Sequence, residues 1–210
     1  GDRVTENLWG DNSRVIMDRA IPFVRAAVQK DQPFFTIVWF HTPHLPVVAG
    51  PQYTRMYASY EKYAQHYYGC ITAMDEQIGR LRTELRAMGV VQNTLVAFCS
   101  DNGPEGQANN APGMAGHLSG RKRSLLEGGI RVPGLIEWPG KVHPGNTIIP
   151  AVTSDYFPTI LDIIGVKPAN NRPLDGVSLL PLFQGKMKER GRPIGFQSAG
   201  QVAWIGDRYK

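Results

Sequence analysis

The chain has 210 residues, 42% of them hydrophobic and 20% charged, a composition that fits a globular protein and excludes a disordered one. Its formal net charge is +5, and its basic residues are scattered apart from Arg121-Lys122-Arg123, which mildly favours anionic substrates without requiring nucleic acid. No apolar run approaches the ~20 residues of a membrane span. We therefore expect neither a nucleic-acid partner nor a membrane, and one domain with part of a second.

The first predicted helix follows residue 11, where Asp11, Asn12 or Ser13 can cap an apolar pattern that runs to Val28. Pro22 falls inside this pattern and is expected to kink or split the helix.

A buried strand is predicted at Phe34 to Phe40, and it leads into a loop that carries two histidines and two prolines. The prolines stiffen the loop, so His41 and His44 are expected at the mouth of this strand. The spacing of His41 and His44 also fits a transition-metal pair, but no Cys or third His is placed to complete a zinc site. His44 equally fits a plain loop-capping role.

Residues 59 to 88 show the clearest helical pattern, with one apolar stripe that favours packing on a sheet. The two cysteines lie in this helix and in the next predicted strand. We interpret Cys70 and Cys99 as buried free thiols, and the redox compartment stays undecided.

The strand from Thr94 to Cys99 is almost wholly apolar, as a strand covered on both faces should be. It ends at Asp101 and Asn102, before a Gly-Pro pair. Ligands of open α/β sheets bind at that edge, and a carboxylate beside an amide oxygen suits Ca²⁺ or Mg²⁺. Asp-Asn-Gly is also a common turn sequence.

A long loop, residues 103 to 120, delivers Lys122, whose ammonium suits a sulfate or phosphate oxygen but also fits a solvated surface lysine. Glu127 and Arg131 are expected to brace the following turn with an ion pair. A third buried strand is predicted from Gly134 to Trp138, and β character returns after residue 193.

This order of strands and helices predicts an α/β layered domain with a mostly parallel sheet. A hard cation, an imidazole and an ammonium together can bind a tetrahedral oxyanion and stabilise the charge that develops as its ester breaks. An imidazole can also protonate the leaving alkoxide near neutral pH.

The motifs, taken in order, resemble the type I sulfatases of the alkaline phosphatase superfamily. The resemblance covers roughly residues 12 to 185. The stretches that carry it are Phe34-Phe35, Pro43-His44-Leu45-Pro46, Tyr67 to Gly79 with Met74-Asp75, Ser100-Asp101-Asn102-Gly103, Gly120-Arg121-Lys122, Glu127-Gly128-Gly129-Ile130-Arg131-Val132-Pro133 and Leu174-Asp175-Gly176-Val177-Ser178-Leu179-Leu180-Pro181.

The resemblance implies a hydrolase of sulfuric esters with an alkaline-phosphatase-like fold. Asp101 and Asn102 would be two ligands of a divalent metal, usually Ca²⁺, with Mg²⁺ as the alternative. Lys122 would contact the sulfate and its bridging oxygen, and His44 would contact the sulfate or assist the leaving group. His41 would line the substrate pocket.

One departure from the family pattern is large. The family nucleophile, a formylglycine, is made from a Cys/Ser-x-Pro-x-Arg motif, and the chain contains none. We expect formylglycine in an upstream segment, so that residues 1–185 are a partial catalytic domain and residues 186–210 begin a smaller subdomain. By itself such a fragment, incomplete at both ends, is expected to be inactive and to self-associate through open sheet edges.

Two alternatives stay open: a phosphatase or phosphonate hydrolase of the same superfamily, and a non-catalytic remnant that binds oxyanions or carbohydrates. The resemblance implies a sulfated small molecule or carbohydrate as substrate, and it suggests a periplasmic or secreted protein. The sequence itself does not identify the sulfate ester.

Overall fold

The computed structural model of the chain describes residues 3, 5–8, 11–106, 112–168, 170 and 172–210. Helices and strands both occur, so the α/β class is confirmed. The α-helices of these ranges are α1 (Asn12–Gln29), α2 (Pro51–Thr54), α3 (Lys62–Ala87), α4 (Glu127–Ile130), α5 (Tyr156–Ile164) and α6 (Leu180–Phe183). The strands are β1 (Val96–Cys99), β2 (Gly134–Glu137), β3 (Ile194–Ser198) and β4 (Gln201–Ile205).

The chain divides into two compact units. The first comprises Gly1–Thr94 and Pro104–Met114, and the second comprises Leu95–Gly103 and Ala115–Lys210. The predicted boundary at residue 185 is a different kind of division, and it stays a prediction.

Helix α1 begins as predicted, because the Asp11 carboxylate accepts the backbone N–H groups of Ser13 and Arg14 at 2.9 and 3.2 Å. The helix runs unbroken through Pro22, so the predicted split is wrong. Pro22 is exposed, and because it has no N–H it leaves the carbonyl of residue 18 without its helical donor. Met17 on the same helix is fully buried, and such packing stabilises the helix beyond its propensity.

Helix α3 confirms the long helical prediction and forms the core of the first unit. Its Cys70 and Ala73 pack with Ala49 and Tyr53 in one buried cluster. Both cysteines are free thiols, as predicted, with Cys70 buried and Cys99 half-buried. Burial raises the pKa of the Cys70 thiol to about 11.

The buried strand predicted at residues 34–40 is wrong. The backbone there pairs with no strand among the described residues, and Phe35, Ile37 and Trp39 are 65%, 63% and 84% exposed. A strand requires a neighbour for its backbone N–H and C=O groups, and an apolar run does not by itself supply one.

In the second unit, β1 and β2 pair antiparallel, with Val96 opposite Glu137 and Cys99 opposite Gly134. Strands β3 and β4 form an antiparallel hairpin in the stretch where β character was predicted. The pairs within the described ranges are all antiparallel, so the mostly parallel sheet is not confirmed. The predicted burial of β1 on both faces is also wrong, since Ala97 is exposed. The predicted burial of β2 is wrong as well, since Leu135 is 63% exposed.

None of the helices in the described part of the chain has the length and apolar character to cross a membrane.

Candidate functional site

The two histidines lie on the predicted loop, in the first unit. The backbone N–H of His44 donates to the carbonyl of His41 at 2.8 Å, which closes a tight turn with the two ring centroids 5.0 Å apart. The peptide bonds that precede Pro43 and Pro46 are both cis. Both imidazoles are exposed.

Both rings converge on the carbonyl oxygen of Leu45. His44 Nδ1 lies 2.7 Å from this oxygen, and His41 Nε2 lies 3.2 Å from it. A carbonyl oxygen only accepts hydrogen bonds, so each of these nitrogens carries a proton. The other nitrogen, Nε2 of His44 and Nδ1 of His41, is therefore the atom left to meet a substrate.

Asp101 and Asn102 lie in the second unit, directly after the end of β1. The Asp101 carboxylate accepts the backbone N–H of Asn102 at 2.9 Å, and the Asn102 side-chain Nδ2 donates to the Gly103 carbonyl at 2.8 Å. Since that carbonyl only accepts, the amide is fixed with its nitrogen toward Gly103, which leaves Oδ1 to act as a ligand.

This donor set fits a hard divalent cation in type, because it offers carboxylate and amide oxygens. It is small, since calcium takes about 6 to 8 oxygen ligands. No group of three or more His, Cys, Asp or Glu side chains able to hold a metal occurs in the described ranges.

Lys122 is half-buried and lies in a tight turn of the second unit. The backbone N–H of Ser124 donates to the carbonyl of Arg121 at 3.0 Å, which places Lys122 at the second position of the turn. The turn is followed by α4, where Glu127 and Arg131 form the predicted ion pair at 3.7 Å.

A glycine pair in α4 joins the two segments of the second unit that carry predicted site residues. Gly103, directly after Asn102, donates its backbone N–H to the carbonyl of Gly129 at 2.8 Å, and Gly128 donates to the carbonyl of Ser119 at 2.7 Å. A Cβ on Gly103 would overlap the Gly128 carbonyl, and one on Gly129 would overlap the Ser124 carbonyl. Backbone therefore packs directly on backbone here.

The Asp101-Asn102 end of β1 and the Lys122 turn are thus brought against one short helix. The two histidines belong to the other unit, and this packing does not involve them. The glycine pair had a sequence signal, because adjacent glycines often mark close backbone approach. Gln201, whose amide contacts the Lys122 turn, had no such signal in the sequence.

The helices and strands of the described residues place the chain in the α/β class of proteins. Within that class the chain belongs to the sulfatase family, because the family model described as Sulfatase matches residues 2–166. The predicted membership is confirmed.

Curated relatives agree with this assignment. The chain is 33% identical over 180 residues to the uncharacterized sulfatase YdeN of Escherichia coli (strain K12), covering 85% of this chain and 31% of that protein. It is 33% identical over 171 residues to arylsulfatase A of Homo sapiens, covering 81% of this chain and 32% of that protein. The chain therefore spans about a third of the length of these relatives.

The crystal structure of Ps i-CgsB in complex with k-i-k-neocarrahexaose has a TM-score of 0.81 and 30% identity, covering 91% of this chain and 43% of that chain. This structural similarity confirms the alkaline-phosphatase-like fold that the family resemblance implied. Sulfatase membership also suggests a metal cofactor.

Proposed function

We propose that the protein to which this chain belongs hydrolyses sulfuric esters. This chain would supply two of the metal ligands and the lysine and histidine that contact the sulfate. The observation that carries the proposal is the packing of α4. Gly128 and Gly129 hold the Asp101-Asn102 end of β1 and the Lys122 turn against the same helix.

The metal we propose is Ca²⁺, with Mg²⁺ as the alternative, held in part by the carboxylate of Asp101 and by Oδ1 of Asn102. When bound, the cation would supply positive charge to the sulfate oxygens. The hydrogen bonds from Asn102 N–H to Asp101, and from the Asn102 amide to Gly103, orient these oxygens before any ion arrives.

Lys122 would stabilise negative charge on the bridging oxygen as the ester bond breaks, which a compact ammonium does well. His44 would bind the sulfate or protonate the leaving alkoxide from Nε2, since its Nδ1 proton is engaged by Leu45. We assign His41 to the lining of the substrate pocket. The nucleophile would be a formylglycine, which this chain does not encode because it lacks the Cys/Ser-x-Pro-x-Arg motif.

We further propose a sulfated carbohydrate as the substrate class. The support is that Ps i-CgsB was crystallised with the oligosaccharide k-i-k-neocarrahexaose. The exposed His41-His44 loop is the part of this chain that we expect to contact the sugar.

The test compares aryl sulfate and aryl phosphate turnover by the complete gene product. We expect the sulfate ester to be preferred, and Lys122→Ala to lower kcat at least ~100-fold because it removes transition-state charge stabilisation. Lys141→Ala is the matched control, since Lys141 is exposed in the same unit. Preference for the phosphate ester would favour a phosphatase or phosphonate hydrolase, and no turnover of either would favour a non-catalytic binding protein.

The metal assignment has its own test by titration calorimetry. The 210-residue chain alone should bind Ca²⁺ weakly, because two ligands leave most of the coordination sphere to water. In the complete gene product, Asp101→Asn should weaken Ca²⁺ binding, while Asp175→Asn at an exposed position should not. Tight stoichiometric binding by the 210-residue chain would contradict the partial site.

A further inference from the structure

The turn that carries Lys122 has an unfavourable backbone conformation at its third position. Arg123 follows Lys122 in the turn closed by the Ser124 N–H bond to the Arg121 carbonyl, and its φ is +74°. A positive φ at this position is usual for glycine, and a side chain there costs free energy. The surroundings must therefore hold the turn in this shape.

Gln201 supplies such a restraint from the β3–β4 hairpin, about 80 residues further along the chain. Its side-chain Nε2 donates to the carbonyl of Arg123 at 2.9 Å, and its Oε1 accepts the backbone N–H of Leu125 at 3.0 Å. The oxygen and the nitrogen of one side-chain amide thus both hydrogen-bond to the backbone just after Lys122. Because Gln201 is half-buried, these bonds are partly shielded from water.

The hairpin holds Gln201 in place. Gln201 is the first residue of β4 and lies opposite Ser198 in the register, at the end of the hairpin where Ala199 and Gly200 form the turn. Lys210 makes a second connection to the same loop, since its Nζ donates to the Leu125 carbonyl and lies 3.0 Å from the Glu127 carboxylate. Residues 123–127 are therefore hydrogen-bonded to two side chains, Gln201 and Lys210, from the C-terminal part of the second unit.

We infer that Gln201 is a positioning residue for Lys122: its amide holds the Arg121–Ser124 turn in the conformation that presents the Lys122 ammonium to the substrate. This inference rests on the sulfate-binding role proposed for Lys122. It assigns to the β3–β4 hairpin a task in the reaction beyond completing a subdomain.

The first test measures the turn itself, by amide hydrogen exchange in the full chain. Gln201→Ala should accelerate exchange of the Leu125 amide at least ~10-fold, because this amide loses its acceptor. Gln201→Glu keeps an acceptor for that amide and should preserve most of its protection. Gln197→Ala is the matched control, an exposed glutamine of the same hairpin, and should change nothing.

The second test asks whether the restraint acts through the positive φ of Arg123. Glycine at this position has no Cβ, so Arg123→Gly should relieve the strain and reduce the dependence of the turn on Gln201. In a double-mutant cycle, Gln201→Ala should accelerate Leu125 exchange less in the Arg123→Gly background than in the parent. Equal acceleration in both backgrounds would overturn this part of the inference.

The third test uses aryl sulfate turnover by the complete gene product. Gln201→Ala should lower kcat ~10- to 100-fold with KM changed less than ~3-fold, as expected when transition-state contacts are lost. In a Lys122→Ala background the same change should have no further effect, since Gln201 acts through Lys122.

Two results separate this inference from the proposed function. An active parent whose Gln201→Ala variant keeps its kcat, even with faster exchange, would reduce Gln201 to a structural residue and overturn the inference alone. An inactive parent would overturn both the sulfatase proposal and the positioning role.

Discussion

Arg190 and Asp155 form a doubly hydrogen-bonded ion pair that is closed to solvent. The Arg190 Nη1 and Nη2 groups donate to the two Asp155 oxygens at 2.6 and 2.8 Å, and the side chains are 1% and 0% exposed. The same carboxylate accepts the backbone N–H groups of Val152 and Val177, each at 2.8 Å. One buried aspartate thus joins the start of α5, the segment before α6 and the strand-forming C-terminal stretch.

Removing one partner of this pair should destabilise the second unit strongly. Arg190→Met leaves the Asp155 carboxylate buried without its counter-charge, which typically costs about 3 to 5 kcal/mol. The free energy of unfolding, measured by urea titration, should fall by this amount. Arg208→Met is the matched control, because Arg208 pairs with Glu189 at 3.5 Å with both side chains largely exposed.

The control should change the free energy of unfolding by no more than about 1 kcal/mol. If Arg190→Met and Arg208→Met had equal small effects, the buried pair would have no special structural importance. A double variant, Arg190→Met with Asp155→Asn, should recover part of the loss, because no charge is then left buried and the amide oxygen can still accept one of the two backbone N–H groups.

Local patterns predicted the local features of this chain. The α3 helix at Lys62–Ala87 was found because its apolar spacing depends only on residues three and four apart. Asp101, Asn102 and Lys122 were chosen as candidate site residues because strand ends and glycine-rich loops mark where side chains can meet a ligand. The roles of these residues remain proposals.

The features that could not be predicted depend on distant contacts. Phe34 to Phe40 has the composition of a buried strand, but strand formation depends on a partner that composition does not reveal. Gln201 contacts residues 76 and 78 positions earlier, and Arg190 binds an aspartate 35 positions earlier. No local period connects such residues, so only the folded chain shows them.

Because backbone packs on backbone at α4, Gly→Ala substitutions should have opposite effects on the free energy of unfolding in α4 and in α3. Gly128→Ala should lower the free energy of unfolding by at least about 2 kcal/mol, because the new Cβ would overlap the Gly120 carbonyl and backbone cannot move aside cheaply. Gly79→Ala on α3 meets nothing within 4 Å. It should raise stability by about 0.5 to 1 kcal/mol through helix propensity.

Urea unfolding of both glycine variants checks this prediction. Comparable effects of the two substitutions would argue against close backbone packing around Gly128. The Gly128→Ala variant should also lose Lys122-dependent turnover in the complete gene product, whereas Gly79→Ala should retain it.

The raised pKa of the Tyr53 hydroxyl should make the folded chain less stable at alkaline pH. Burial, together with its 2.8 Å hydrogen bond to the Glu76 carboxylate, raises the pKa of the Tyr53 hydroxyl from 10.0 to about 12. The folded state therefore keeps this proton longer than the unfolded state, so stability falls as pH rises from 10 through 12. Tyr53→Phe should remove this part of the pH dependence.

At neutral pH the same substitution should cost about 1 to 2 kcal/mol, since the hydrogen bond to Glu76 is lost. Urea titrations at several pH values between 8 and 12 measure both effects. Tyr209→Phe, at an 83% exposed position, is the control and should leave the alkaline slope unchanged. An unchanged slope in Tyr53→Phe would mean that other groups cause the loss.

From the exposed apolar segment at residues 34–40 we expect self-association of the 210-residue chain. Phe35, Ile37 and Trp39 are each more than 60% exposed, and the backbone between them pairs with no strand among the described residues. An apolar segment whose backbone N–H and C=O groups are unpaired can accept a strand from a second chain. We expect concentration-dependent dimers or larger species in analytical ultracentrifugation.

A charge in the centre of this segment should suppress the association, because a charged side chain on an unpaired backbone opposes edge-to-edge pairing. Ile37→Lys should therefore shift the chain toward monomer, while Ile148→Lys should not, although Ile148 is 94% exposed in a loop of the other unit. Equal shifts in both variants would point to a general solubility effect of the added charge. A parent chain that stays monomeric at high concentration would show that this segment does not template strand pairing.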